Sequence, residues 1–328
     1  MPTQLIRGLY NLAPHIARIQ GGVVTIGNFD GVHIGHQQLL ASVKKKAEQL
    51  KVASIVIIFE PQPLEFFAGP KVTTPRLTRF REKFLALQKA GVDFLIVLPF
   101  NQELANLSAQ DFIDTVLVYY LKPQEIVVGE DFRFGHKRSG NFTYLKDYAA
   151  KFGITVQAMP TFFFEQERVS STRVRQALTE NNLALATQLL GRPYSMQGRV
   201  RHGDKVGRNL GFPTANIFLH RHLSPVLGIY TVYVHGLSKI PIAGVANIGT
   251  RPAIGGTRAL LEVHLLDFDQ EIYGRYVEIE FCKKLRNEEW YPNLELLKQA
   301  ISNDVKCARE YFKILNENGN TNDFSKRK

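Results

Sequence analysis

"VVTIGNFDGVHIGHQQLL", residues 23–40, changes character twice. Val23–Ile26 is an apolar run of strand type, and Gln37–Leu50 carries Leu39, Leu40, Val43, Ala47 and Leu50 at helical spacing. Between them lies "GNFDGVHIGH", with glycines at 27, 31 and 35 and histidines at 33 and 36. A strand that hands over to a helix leaves main-chain N–H groups unpaired at the helix start, and these attract phosphate. Glycines let the chain bend there and let a ligand approach closely. His33 and His36 then fall on one side of the first helical turn, where both can donate hydrogen bonds to phosphate oxygens as charge develops. A glycine-rich turn alone is equally consistent with two surface histidines. The joint pattern after a buried strand favours a site.

The segments that follow extend the alternation. "VASIVIIF", "DFLIVLPF", "EIVVG" and "ITVQAMP" read as strands, the first two continuously apolar as in a sheet covered on both faces. "RLTRFREKFLALQKAG" reads as a helix, with Phe80, Phe84 and Leu87 on one side and Gly91 as its stop. Ser108 with Asp111 forms a capping box ahead of "FIDTVLVYYL". Strand and helix in turn predict a doubly wound parallel sheet, whose ligands bind at the carboxyl ends of its strands. The opening stretch lies at such an end.

After about residue 183 the texture changes. "GIYTVYVHGL", "RALLEVHLLDF" and "YVEIEFCKKL" are short and alternating, with Val277, Ile279 and Phe281 on one side of the last, and glycines and prolines punctuate them. This predicts a small antiparallel barrel. Leu294, Leu297, Ile301, Val305, Ala308, Phe312 and Leu315 then share one helical stripe. The expected division is 1–183 for the parallel-sheet domain and 184–316 for the barrel with its closing helix, with a disordered polar tail at 317–328.

Bulk properties agree with two globular domains. The chain has 328 residues, 45% of them apolar, and no apolar run approaches the ~18 residues of a membrane span. The N-terminal stretch lacks a run of signal-peptide length, so a cytoplasmic location without membrane association is expected. Two cysteines, Cys282 and Cys307, read as free thiols. The net charge of +11 favours polyanionic partners, nucleotide phosphates or nucleic acid. Oligomeric state is left open.

Three other segments suit chemistry, and each taken alone also fits a plain structural role: a helix cap with solvated arginines, a Gly-Pro turn entering a strand, and a solvent-facing strand surface. "VSSTRVRQAL", 169–178, puts hydroxyls at a helix start, where Ser171 and Thr172 can touch phosphate and Arg175 can grip two phosphates as a fork. In "GRNLGFPTAN", 207–216, Thr214 and Asn216 present neutral oxygens two residues apart on one strand face, a set suited to Mg²⁺. In "LEVHLLDF", 261–268, Glu262 and His264 face away from Leu261, Val263 and Leu265, and Glu262 is a candidate general base for an alcohol proton.

"GNFDGVHIGH" together with "VSSTR" resembles the paired motifs of the nucleotidylyltransferase superfamily, and "FEPQP" (59–63) and "VGEDFRFG" (128–135) are similar to segments of its FMN adenylyltransferase branch. The resemblance implies a Rossmann-like domain. It places ATP against Gly27, Phe29, Asp30, Gly31, His33, His36, Ser171, Thr172 and Arg175, and flavin near Pro61, Asp131, Phe132 and Arg138.

The Pro-Thr-Ala-Asn motif, "GVANIGTRP" (244–252), Glu-x-His and "LRNEEWYPNLELL" (285–297) resemble riboflavin kinase. That implies ATP at Gly207, Arg208, Gly211, Thr214 and Asn216, with Mg²⁺ on the last two. It further implies Glu262 as base, and flavin at Arg286, Trp290 and Tyr291. Joined, the halves resemble the prokaryotic bifunctional riboflavin kinase/FAD synthetase family. The implied reactions are riboflavin to FMN on the barrel, then FMN to FAD on the sheet, each with ATP as co-substrate and no nucleic acid. Ala253 and Ile254 stand where that family commonly shows a hydroxyl and an apolar or aromatic residue, and "WYP" crowds aromatics where one is usual.

Two other readings fit parts of the pattern. An adenylyltransferase with another acceptor and a flavin-sensing barrel would leave riboflavin unconverted by ATP. A nucleic-acid-binding barrel needs aromatics interleaved with basic residues, and the acidic "LEVHLLDFDQEIYG" opposes it.

Overall fold

The computed structural model describes residues 2–69, 73–202, 210–221, 223–253 and 256–317, of which 251–253 and 256–258 are described by their backbone alone. The chain divides into two compact units, 1–73 with 77–173, and 74–76 with 174–328.

The first unit is built on a parallel sheet. Its strands are β1 (Gln4–Arg7), β2 (Val23–Ile26), β3 (Ser54–Glu60), β4 (Phe94–Pro99), β5 (Glu125–Gly129) and β6 (Thr155–Met159), in the order β1-β4-β3-β2-β5-β6. Every neighbouring pair is parallel. Alternate residues of one strand enter different cores. Val24, Ile26, Ile55, Ile57, Ile96 and Val128 pack on one face, and Val23, Val56, Ile58, Val97 and Val127 on the other. Two buried faces explain why these strands read as unbroken apolar runs. Helices α1 (Ile34–Leu50) and α2 (Phe80–Lys89) cover the second face through Leu40, Val43 and Leu87. Helical segments Ala109–Phe112 and Ile113–Leu121, with α3 (Phe142–Ala149), cover the first. Ser108 caps the former by accepting from the Asp111 N–H at 3.0 Å.

Strand β1 is absent from the sequence expectation. It has four residues and only Ile6 is buried, so it carries almost no apolar signal. Pairing with β4, Ile6 opposite Ile96, makes it a strand.

The sheet order reverses at β2. From there the chain steps outward to β3 and β4, then returns to place β5 on the other side of β2. Such a reversal opens a crevice at the carboxyl ends of the two central strands. The glycine-rich turn leaves β2 there.

The second unit contains α5 (Leu183–Leu190) and a closed six-stranded antiparallel barrel. Helix α4 (Ser171–Thr179) runs through the division between the units. The barrel strands are β7 (Ser195–Arg201), β8 (Ala215–Phe218), β9 (Gly228–His235), β10 (Ile242–Ala253), β11 (Gly256–Leu265) and β12 (Tyr276–Arg286), in the order β7-β8-β11-β10-β9-β12. Ile217, Leu261, Val263, Ile248, Val277 and Ile279 are buried, and the alternate positions face outward. Helix α6 (Leu294–Glu317) lies on that outer surface, where Ala308 and Phe312 pack with Ile229 and Val245. The expected tail, apart from Glu317, and Ile254 fall outside the described residues.

Candidate functional site

The crevice of the first unit is a cleft of about 680 Å³. Its walls come from the ends of β2, β3, β5 and β6 and from the segment leading into α4: Gly27, Phe29, Phe59, Phe132, Phe162 and Ser171 are among them.

The turn after β2 is tightly wound. Phe29 and Val32 have positive φ (47° and 44°), and Gly31 has φ 81°. A β-branched residue in this region is strained, and such strain persists only where the surroundings hold it. Asp30 supplies that hold. It is 5% exposed, and its carboxylate accepts from the Leu77 N–H (3.1 Å), the Thr78 N–H (3.0 Å) and the Thr78 hydroxyl (3.3 Å). The Gly31 N–H donates to the Thr78 hydroxyl oxygen at 2.9 Å. The Ser171 hydroxyl donates to the Asp30 carbonyl at 2.8 Å. Two motifs 141 positions apart are thereby tied together. Asp30 lines the cleft, but its carboxylate is taken up by the main chain of 77–78.

His33 caps α1. Its Nδ1 accepts from the His36 N–H at 3.3 Å, which leaves the ring proton on Nε2. The two imidazoles stack with centroids 3.6 Å apart and planes 14° apart, and Phe29 lies 5.0 Å from the His36 ring. A Cβ at Gly35 would meet the His33 ring at 3.3 Å, so glycine there gives the ring its seat. Desolvation, then the neighbouring His33, then the charge of buried Lys83 push the His36 pKa well below its ordinary value. His36 is therefore neutral near pH 7.

The rim differs in part from expectation. Asp131, Phe132 and Arg138 line the cleft, and Asp131 forms an ion pair with Arg168, a lining residue missing from the sequence reading. Pro61 follows a cis bond and is exposed. Pro63, two residues on, lines the cleft instead, with Leu64, Phe67 and Phe100. Thr172 is exposed, and neither it nor Arg175, half-buried one turn further along α4, belongs to the lining. Arg173 is engaged locally, donating to the carbonyls of Phe164 (2.8 Å) and Glu167 (3.1 Å).

The second unit holds a cavity of about 300 Å³ on the outer surface of the barrel. Strand register explains its composition. Asn216 pairs with Glu262, Glu262 with Asn247, Asn247 with Ile229, and Ile229 with Arg286. Residues directly opposite on neighbouring strands share a face, so one row carries Asn216, Glu262, Asn247 and Arg286 in that order. All four line the cavity, as does Thr214. His264 reaches the Pro213 carbonyl at 2.9 Å through Nδ1 and so holds the segment that presents Thr214. Asn247 is a lining residue that the sequence reading passed over.

Helix α6 closes the cavity with Leu297, Ile301, Asp304 and Val305. Part of the stripe read as packing is thus a wall. Arg286 is gripped by Asp304 in a two-pronged pair at 2.9 and 2.7 Å. Desolvation alone would lower the guanidinium pKa, but the hydrogen bond and charge of Asp304 raise it on balance. Tyr291 lines the cavity, its ring 5.7 Å from the Arg286 guanidinium, and its hydroxyl donates to Glu289 at 2.9 Å. Trp290 is 83% exposed and outside the lining. Gly211, at φ 90°, sits between the lining residues Leu210 and Phe212. Gly207 and Arg208 lie outside the described residues.

The donor set fits a hard cation: a hydroxyl from Thr214 and an amide oxygen from Asn216, with the Glu262 carboxylate beside them. Among the described residues no group of three or more His, Cys, Asp or Glu side chains forms a metal cage. An ion here would share its ligands with phosphate oxygens.

Comparison with known proteins covers both units. The family model for FAD synthetase matches residues 15–173, and that for riboflavin kinase matches 190–312. The chain is 48% identical to the bifunctional riboflavin kinase/FMN adenylyltransferase of Escherichia coli (strain K12), over 94% of this chain and 98% of that one. It is 48% identical to that of Pseudomonas fluorescens, over 93% and 97%. A Streptococcus pneumoniae crystal structure, titled as a macrolide-efflux protein, aligns over 94% of this chain and 99% of that one, with TM-score 0.78 and 30% identity. Among the described residues no helix is long and apolar enough to cross a membrane. Two family models in register with the two units, and near-complete coverage of relatives at 48% identity, lead to one conclusion: the chain belongs to the bifunctional riboflavin kinase/FMN adenylyltransferase family.

Proposed function

We propose that this chain makes FMN and then FAD, one reaction on each unit. One observation carries the reading. Thr214, Asn216 and Glu262, dispersed in sequence, line one cavity on the barrel, while His33, His36 and Ser171 line another at the switch point of the sheet.

On the barrel, Glu262 takes the proton of riboflavin's terminal ribityl hydroxyl. The freed oxygen bonds to the γ phosphorus of ATP as the bridge to the β phosphate breaks, and FMN and ADP result. Thr214 and Asn216 would hold Mg²⁺, which neutralises phosphate charge when bound. Arg286 and Tyr291 border the flavin side, with the arginine fixed by Asp304.

On the sheet, the FMN phosphate needs no base, because it is already ionised. Its oxygen bonds to the α phosphorus of a second ATP while the α–β bridge breaks, and pyrophosphate leaves. His33 offers its Nε2–H, and neutral His36 stacks against it, so the pair donates hydrogen bonds without two stacked cations. Donors placed where charge develops act on rate more than on binding. ATP as co-substrate, and Cys282 and Cys307 outside any disulfide, suit the cytoplasm.

The test is incubation with riboflavin and Mg-ATP, with products followed by chromatography. FMN should appear first and FAD second. His36→Ala should abolish FAD formation and spare FMN formation. Glu262→Ala should stop FMN formation yet leave FAD formation from supplied FMN. Loss of both activities in either variant, with the fold intact, sinks the division of labour.

A further inference from the structure

Asn247 sits in the barrel cavity with its side-chain oxygen Oδ1 buried and, among the described residues, without a hydrogen-bond partner. Buried acceptors are almost always satisfied, so an unsatisfied one at the wall of a cavity points to a donor that arrives with a ligand. Other polar groups of the same wall have their partners inside the protein: His264 on Pro213, Arg286 on Asp304, Tyr291 on Glu289.

The identity of that donor follows from chemistry and from place. An amide oxygen only accepts. Phosphate oxygens are acceptors too, so the triphosphate has nothing to give it. A metal ion is the other partner an oxygen can take. The metal-type oxygens, Thr214 and Asn216, however, lie on β8 and the residue leading into it, on the opposite side of Glu262. Adjacent strands are about 4.8 Å apart, so Asn247 stands two strands from Asn216, with the proposed base between them. Its other neighbours along the row are Ile229 and Arg286, the side bordered by Tyr291. A hydroxyl-bearing chain that reaches Glu262 from that side passes Asn247 before its terminal hydroxyl meets the base.

We infer that Asn247 is a specificity-determining residue of the kinase site, accepting a hydrogen bond from a polyol hydroxyl of the alcohol substrate next to the one that reacts. The inference rests on the phosphorylation of riboflavin proposed above. It gives the site a means to prefer a flavin with a hydroxylated side chain over one without. A substrate lacking that hydroxyl would leave Oδ1 buried and unpaired in the complex, a pattern that discriminates strongly.

The test uses the full-length protein, Asn247→Leu, which keeps the shape and removes the acceptor, and Asn247→Asp, which keeps both shape and an acceptor. Riboflavin binding is read by quenching of flavin fluorescence, Mg-ATP binding by calorimetry, and stability by thermal melting without ligand. A third ligand, lumiflavin, has the ring system and no polyol. Asn247→Leu should weaken riboflavin roughly tenfold, the worth of one hydrogen bond at the upper end. Lumiflavin and Mg-ATP should bind it as they bind the wild type. Its ligand-free melting temperature should hold or rise, because an unpaired acceptor has been removed. Asn247→Asp should stay within about threefold of wild type for riboflavin.

Four results overturn the inference: unchanged riboflavin affinity in Asn247→Leu, equal losses for riboflavin and lumiflavin, a loss confined to Mg-ATP, or a fall in melting temperature of Asn247→Leu. The last would make the residue structural. A wild-type protein that neither binds nor phosphorylates riboflavin would instead defeat the proposed function and take this inference with it.

Discussion

Replacing Asp30 by alanine should loosen the turn that carries the histidines. The carboxylate is buried and accepts from two main-chain N–H groups and one hydroxyl, all on Leu77 and Thr78. Both donor residues are themselves buried. Alanine leaves two amides without an acceptor, and each such loss costs about 1–3 kcal/mol. Water entering the vacated space repays part. A net destabilisation of about 3 kcal/mol of the first unit follows, a little over a hundredfold in its closed-to-open ratio. Global unfolding of a two-unit chain is not a two-state process, so the assay must be local. Amide hydrogen exchange should show protection at Leu77 and Thr78 falling about a hundredfold. FAD formation from FMN should fall, because Ser171 is bonded to the carbonyl of the same residue, while FMN formation from riboflavin stays. Asp30→Asn, with one acceptor oxygen left, should lose about half as much free energy. If exchange at 77–78 is unchanged in Asp30→Ala while FAD formation is lost, the carboxylate serves the ligand and the strut argument is wrong.

His36 makes the first unit sensitive to acid. Its folded-state pKa lies well below the ordinary 6.5, so below 6.5 the unfolded chain binds a proton that the folded one does not, and stability falls with pH while remaining level above it. Wild type should therefore lose more stability than His36→Asn between about pH 7 and pH 5, and parallel melting curves for the two would contradict this. Asp304→Ala strands Arg286, which is partly exposed, and should destabilise the barrel by about 2–3 kcal/mol. It should raise the KM for riboflavin while FAD formation from FMN holds, as read by melting and by separate assays of the two steps. Ser171→Ala removes one hydrogen bond to Asp30, worth about 1 kcal/mol. It should slow FAD formation without touching the kinase, and equal slowing of both steps would count against a role confined to the sheet.

Much of the architecture could be read along the chain, because the forces that write it act over short separations. Apolar runs at Ser54–Glu60 and Phe94–Pro99 mark strands covered twice, Ser108 announces a helix start, and alternation through Leu261–Leu265 puts Glu262 outside the barrel. The motifs at 27–36, 169–175 and 214–216 carry their own chemistry in residue type and spacing. What could not be read depends on which strand lies beside which. β1 exists through its pairing with β4. Asn247 looks like one more strand residue until the register sets it beside Glu262. Asp30 is an acidic residue in a glycine turn until the 77–78 segment, 47 positions away, claims its oxygens. Strand register has a period of two, so a slip of one residue would turn every side chain of the row to the other face. No local spacing records that choice, which is made by the whole barrel closing at once.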